Sequence, residues 1–444
     1  MKTAFQFAFA LLLSLTLSGC LANGGYSSMP WGASTGVVTN DPNSIPDIGW
    51  QTSGDRRELA QQNRSFMNQR QQSRQEQQSE PGRPGLVYGG AIGAKKGGKV
   101  KVAMLLPLTG KHSNLGQSML KAAQMALFDV GSANFELVPK DTQSTAEGAV
   151  RAAQQAAAAN AALFIGPIFA EDVKAVKPVS VSSGIPMVAF TTDWTLGGNN
   201  TYIMGFLPFA QVARVAQYAN TKGYGQVAVY APITEYCDVV IRTLQRTGTD
   251  IVRVNRYSPQ QLDLSTLVQE FVASSNISGN PDNPQFRFNA LMLPVGGESL
   301  RSLVSVLDLH GVKNENIRFL GTGLWDDTAL TTNPALYGGW FAAPDPKLRR
   351  DFEQRYESNY GGAPIRLSSL AYDATALAAV LARTGGDPYS RSNMTNPRGF
   401  AGIDGIFRFR PDGLNERGLA ILEIQAGRAR VIDPAPTAFI SSGS

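Results

Sequence analysis

Nucleophiles and bases are scarce in this chain of 444 residues, which has two cysteines, Cys20 and Cys237, and two histidines, His112 and His310. Cys237 lies between Tyr236 and Asp238 just after an expected strand, where a reactive thiolate would need a base or cation beside it. No local signature supplies one, so a packing role is expected. Ser118-Met-Leu-Lys121 has the S-x-x-K spacing of a serine nucleophile with its lysine, but neither S-D-N nor K-T-G follows. Gly93 to Lys99 has phosphate-loop spacing. Val100 stands where a metal-facing hydroxyl is needed, however, and the glycines precede a strand instead of following it. There is no G-x-S-x-G elbow, and two histidines leave little room for a triad. The same shortage of soft ligands argues against zinc, and no carboxylate run has calcium-loop spacing. The residues predict a noncatalytic protein with no metal and no cofactor.

Binding is left as the chemistry, and the elements are suited to it. From Lys99 short apolar runs alternate with amphipathic stretches, the pattern of strands and helices in parallel α/β sheets. Strands are expected at Val100–Leu106, Phe135–Pro139, Ala162–Ile165 and Pro186–Phe190, with helices Leu115–Val130 and Thr145–Asn160 between them, and a second set of units starts after Tyr202–Leu207. Its strands are expected at Gln226–Tyr230, Asp250–Tyr257, Asn289–Leu293 and Arg318–Gly321. Helices at Lys347–Tyr360 and Ser368–Arg383 precede short strands at Gly405–Phe409, Leu419–Gln425 and Arg428–Ile432. Two sheets in succession predict an α/β fold of two doubly wound, parallel-sheet lobes. The net charge of +5 is mild and unclustered, which argues against nucleic acid as a partner. With one cysteine beyond Cys20, the folded part cannot close a disulfide on itself.

The amino terminus carries a different message. Lys2 and an apolar run from Ala4 to Leu17, too short to span a bilayer comfortably, have the form of a secretory signal. Leu17-Ser-Gly-Cys20 resembles the lipobox of bacterial lipoproteins. The resemblance implies that residues 1–19 are removed and that Cys20 is lipidated as the first mature residue. Leu21 in place of an aspartate implies the periplasmic face of the outer membrane. Residues 20–98 are rich in Gly, Ser, Asn, Gln and Pro and too poor in apolar side chains to offset the entropy of ordering. As a flexible tether of roughly 75 residues they would span about 50 Å end to end.

Several segments in order carry a wider resemblance. Val102-Ala-Met-Leu-Leu-Pro-Leu-Thr-Gly110 with Leu115-Gly-Gln117, Lys140-Asp-Thr-Gln143, Phe164-Ile-Gly-Pro167 and Gly184-Ile-Pro-Met-Val-Ala-Phe-Thr-Thr192 resemble the type I periplasmic binding proteins of the branched-chain amino-acid class. The resemblance implies two lobes joined by three crossovers, near Gly205–Pro208, Trp340–Pro344 and Phe407–Pro411, with a ligand cleft between them. Lobe one is then 99–207 plus 345–408, lobe two 208–344 plus 409–434, and 435–444 a tail. In the cleft the resemblance points to Phe169, Ala170, Thr191, Thr192 and Asp193 from lobe one. From lobe two it points to Tyr236, Glu298, Trp325 and Asp326, with Asp326 or Glu298 substituting for the acid that holds an amino-acid ammonium in that class.

Ile168-Phe-Ala-Glu-Asp172 and Met204-Gly-Phe-Leu-Pro208 also look like the penicillin-binding-protein activators, a lipoprotein branch of this fold. That resemblance implies a regulator of peptidoglycan synthesis whose partner is a peptidoglycan synthase. The alternative is the solute receptor of an ABC importer, with an ABC permease as partner and an amino acid or small peptide as ligand.

Overall fold

The computed structural model describes residues 99–439 apart from 132–133, 261–262 and 281–283. The signal 1–19, Cys20, the linker 20–98 and residues 440–444 lie outside the described residues.

β1 (Val100–Leu106) is buried from Val102 onward, as a central parallel strand covered on both faces must be. It is followed by α1 (Ser113–Val130), the edge strand β2 (Phe135–Asp141) and α2 (Ala146–Ala158). The buried face of α2 is Ala149, Ala152, Ala153 and Ala156, small side chains at helical spacing that let the helix lie close to the sheet. β3 (Leu163–Ile165), α3 (Ala170–Ser183), β4 (Met187–Ala189) and β5 (Thr201–Ile203) complete a wholly parallel sheet of order β2-β1-β3-β4-β5.

The chain then repeats the winding with α4 (Pro208–Thr221), β6 (Gln226–Pro232), α5 (Glu235–Arg246), β7 (Asp250–Tyr257), α6 (Leu264–Ser275), β8 (Ala290–Met292), α7 (Gly297–Leu309), β9 (Arg318–Gly321) and β10 (Trp340–Ala343). These parallel strands run β7-β6-β8-β9-β10, the order of the first sheet over again. Separate apolar clusters cover the two faces of this sheet, one around Phe271, Phe319 and Trp325, the other around Val215, Val229 and Leu320.

α8 (Pro346–Tyr360) and α9 (Ser368–Leu381) return to lobe one and pack on α1. Ser118 is buried there, 2.7 Å from the Ser368 hydroxyl and accepting the Ile365 N–H, while Lys121 lies over the Tyr360 ring. The S-x-x-K pair thus joins helices. After α10 (Arg391–Met394) comes an antiparallel sheet of β11 (Phe400–Gly402), β12 (Gly405–Phe409) and β13 (Asn415–Arg417). Finally β14 (Ala420–Gln425) and β15 (Arg428–Asp433) add two antiparallel strands to the second sheet beside β10.

Two expected crossings move. Trp340–Pro344 was expected as the second crossing, but Trp340–Ala343 is the buried strand β10, and the chain crosses between Ala343 and Pro346. Four residues beside two glycines carry too little periodicity to be told from a connection. The third crossing was expected at Phe407–Pro411. In the structure β13 is still paired with β12, and Ile203 donates to Gly413, so 409–417 stay with lobe one and the chain crosses between Arg417 and Ala420. The Asn-Glu-Arg of β13 is polar and gives no strand signal. It is buried because Asn415 donates to the Ile203 and Gly205 carbonyls and Arg417 to that of Met204, where β5 runs into the first crossing. The described part of the tail is not free either, since Phe439 packs under the Arg408 guanidinium.

Candidate functional site

The carboxyl ends of parallel strands are where open α/β sheets leave a crevice, because the chain must part there to enter helices on opposite faces. In lobe one the loop after β1 is held by the end of β2. Asp141 accepts the backbone N–H of Leu108, Thr109 and Gln143 and the Thr109 hydroxyl, at 2.6 to 3.1 Å. Burial alone would raise its pKa, but these bonds win and hold it below the ordinary carboxylate value. Ser144 donates to the Thr109 carbonyl and accepts the His112 N–H. The loop so fixed sets the His112 ring 4.5 Å, centroid to centroid, from that of Phe169. Burial, with the charge of Lys111 adding to it, lowers the His112 pKa, which favours a neutral imidazole.

Phe169 is the N-cap residue of α3 and offers no side-chain bond to the first turn. Gly166 brings the chain to that point at φ 96°, where a Cβ would stand 2.2 Å from the Leu105 carbonyl oxygen. Ala170 opens the helix. Asp172, two residues on, is 5% exposed, and burial together with Glu171 pushes its carboxyl up to about 6. After β4, Thr191 accepts the Asp193 N–H, and Asp193 accepts the N–H and hydroxyl of Thr195 at the start of a short 3-10 turn. Asp193 is therefore a turn cap. Thr192 is half-buried beside it.

Lobe two presents a rim whose polar groups are mostly spent on the protein itself. The Tyr236 hydroxyl donates to Thr322 at 2.7 Å, and burial raises its pKa well above the usual phenol value. Gln211 accepts the Gly323 N–H. Trp325 is 1% exposed, and its indole donates to the Leu293 and Val295 carbonyls. Its place is the lobe-two core, which corrects the expectation of a cleft aromatic: Gly321 leaves the room in which the ring folds back onto the sheet. Glu298, the other acid expected there, is exposed and paired with Arg301 one turn along its own helix.

Asp326 is also taken. Arg349, in the first turn of α8, binds it through both terminal nitrogens, and Arg366 Nε lies 3.6 Å away. Arg366 in turn grips Asp404 at 2.9 and 3.3 Å, and Ser369 donates to the same carboxylate. Burial would raise Asp404, but Arg366 and Arg417 outweigh it and hold it below the ordinary value. Asp373, fully buried, accepts the Ile403 N–H, and Arg417 Nη1 stands 4.0 Å from it. Burial and the neighbouring Asp404 push Asp373 up to about 7. None of this cluster was legible beforehand except Asp326, because its members are scattered from 326 to 417 with no shared spacing.

Cys237 is buried with its thiol toward the Pro294 carbonyl, and burial pushes it up to about 11, far from a reactive thiolate. Among the described residues no three His, Cys, Asp or Glu side chains are grouped to hold a metal ion, and no helix is long and apolar enough to cross a membrane.

The model of a family described as periplasmic binding protein matches residues 99–429. The chain belongs to that family. Periplasmic binding proteins are noncatalytic. No curated protein sequence matches the chain.

Solved structures share the fold at low identity. A Rhodospirillum rubrum protein named for a branched-chain amino acid ABC transporter has a TM-score of 0.66 at 18% identity, covering 75% of this chain and 100% of its own. A branched-chain amino acid ABC transporter periplasmic ligand-binding protein from Burkholderia xenovorans has a TM-score of 0.60 at 16% identity, covering 77% and 95%. An ABC transporter solute-binding protein from R. palustris, in complex with benzoate, has a TM-score of 0.53 at 14% identity, covering 76% and 98%. The type I fold with two parallel-sheet lobes, expected from the sequence, is thereby shown.

Proposed function

We propose that this chain is the solute-recognition component of an ABC importer, tethered by a lipid on Cys20, and that its solute is a small carboxylate held between the lobes. The observation that carries this reading is the pairing of Asp326 with Arg349 and Arg366. An acid held by two guanidiniums has little attraction left for an ammonium, so a zwitterionic amino acid loses one of its two expected handles. The lobe-one rim offers a flat apolar body the His112–Phe169 ring pair with Ala170, and offers a carboxylate the half-buried Thr192, against the charge of Glu171 and Asp172 in the first turn of α3. The benzoate complex of the R. palustris protein supports the view that the fold accommodates such a ligand.

A thermal-shift panel of aromatic and aliphatic carboxylates against amino acids tests this. A true ligand at 100 times its Kd stabilises by about 2.7 kcal/mol. Stabilisation by amino acids alone would overturn the ligand class, and no response to any solute would overturn the receptor reading.

The second reading, regulation of a peptidoglycan synthase by an outer-membrane lipoprotein, is supported by the Leu17-Ser-Gly-Cys20 motif and the long polar linker, which suit a partner met across a fixed gap. Recovery of a penicillin-binding protein with the purified chain, together with silence in the solute panel, would favour it.

A further inference from the structure

The charged cluster beside the crossings joins the two lobes. Asp326 follows β9 and the core residue Trp325, so it travels with lobe two. Arg349 in the first turn of α8 and Arg366 just beyond that helix belong to lobe one, where α8 packs on α1 and α9. Arg366 is bound to Asp404, also in lobe one, and lies 4.5 Å from the Phe206 ring on the first crossing. Arg417, at the start of the third crossing, lies between the rings of Phe206 and Phe407 and donates to Met204. Three guanidiniums thus stand among the carboxylates of Asp326, Asp404 and Asp373. Space for the lobe-one end is set by Gly402, where a Cβ would stand 2.4 Å from an Asp373 oxygen.

We propose that this cluster is an inter-lobe latch: Arg349 and Arg366 of lobe one clamp Asp326 of lobe two, and Asp404, Asp373 and Arg417 anchor the clamp to the first and third crossings. Hinge motion in two-lobed proteins is absorbed by a few crossing residues, and here those residues are bound into the same cluster. Opening the lobes must separate Asp326 from a two-pronged guanidinium, a geometry stronger than a single-point contact. The side chains are 14% and 16% exposed, so salt screens the pair far less than a surface bridge. The latch responds to protonation at its anchored end. Asp373 faces Arg417 from β13 and Asp404 from the turn between β11 and β12, and Arg366, in the segment before α9, faces Asp404. When Asp373 is ionised it draws on Arg417. When it is protonated, Arg417 has only Asp404 as a counter-charge and its hold on the first crossing changes.

The test uses the mature chain with Cys20→Ser and without added solute, with spin labels at Gln124→Cys in lobe one and Glu315→Cys in lobe two; Cys237 is buried and escapes labelling. Pulsed electron resonance should give a narrow inter-lobe distance distribution for the parent. Asp326→Asn and Arg349→Met should each broaden it, and the double variant should add nothing to either single one. The parent distribution should differ between pH 6 and pH 8, and Asp373→Asn should remove that difference. Circular dichroism establishes that each variant is folded, and Arg349→Lys, which keeps the charge without the fork, should give an intermediate width. Distributions for Asp326→Asn and Arg349→Met that superimpose on the parent would overturn the latch, as would additive broadening in the double variant. A pH response that persists in Asp373→Asn would overturn the role of the anchor. Since no solute is present, these results are independent of whether the protein serves an importer.

Discussion

The two lobes share one winding and differ in what their rims are used for. In lobe one, Asp141 and Ser144 spend their hydrogen bonds on the backbone of the β1 loop, which leaves the His112 and Phe169 rings and the first turn of α3 at the crevice. In lobe two the equivalent turns are closed in on themselves: Tyr236 on Thr322, Trp325 into the core, Asp326 onto Arg349. Identical strand order therefore does not give equivalent rims. Topology decides where a crevice opens, and side-chain satisfaction decides which of its walls still has unmet demand.

That contrast can be broken most decisively at Trp325. If the lobe-two rim is structural, Trp325→Ala should cost about 3–5 kcal/mol in denaturant unfolding, the usual range for emptying a large aromatic from a core. A variant that melts like the parent but loses solute affinity would reverse the assignment. In lobe one the opposite pattern is expected of Phe169→Ala, which should weaken binding of the best carboxylate about tenfold, roughly 1.4 kcal/mol by titration calorimetry, with a smaller loss of stability than Trp325→Ala.

A pH series sharpens the comparison further. Asp172 and Asp373 have folded values near 6 and 7, above the ordinary 3.8. Each favours folding while protonated, and that stabilisation is lost as pH rises through the folded value. Both belong to lobe one, so the drop in melting temperature between pH 5 and pH 8 should shrink in Asp172→Asn and in Asp373→Asn. A pH profile unchanged by both variants would remove the asymmetry. Smaller effects close the series. Tyr236→Phe, which removes one of the two donors to the Thr322 hydroxyl, should cost about 0.5–1.5 kcal/mol, whereas Glu298→Gln, on an exposed helix turn, should stay within about 0.5 kcal/mol.

Particular residues show what could be read early. Val100–Leu106, Asp250–Tyr257, Arg318–Gly321 and Gly405–Phe409 were expected with the bounds they have, since each is a run whose composition and flanking turns point one way. Asn415–Arg417 was illegible because its polar side chains are buried by a partner two hundred residues away. Arg349 and Arg366 were illegible for the same reason: an arginine on an amphipathic helix or in a loop is ordinarily solvated, and nothing local distinguishes one that reaches into a crossing.

By itself the sequence determined the repeated α/β winding and the family, because these follow from local periodicity and ordered motifs. Only the tertiary structure decided which acids and aromatics remain available. Whether Asp326 meets a ligand or a guanidinium, and whether Trp325 lines a crevice or fills a core, depends on contacts between residues far apart in the chain. Those contacts exist only once both lobes have folded and the three crossings have brought them together.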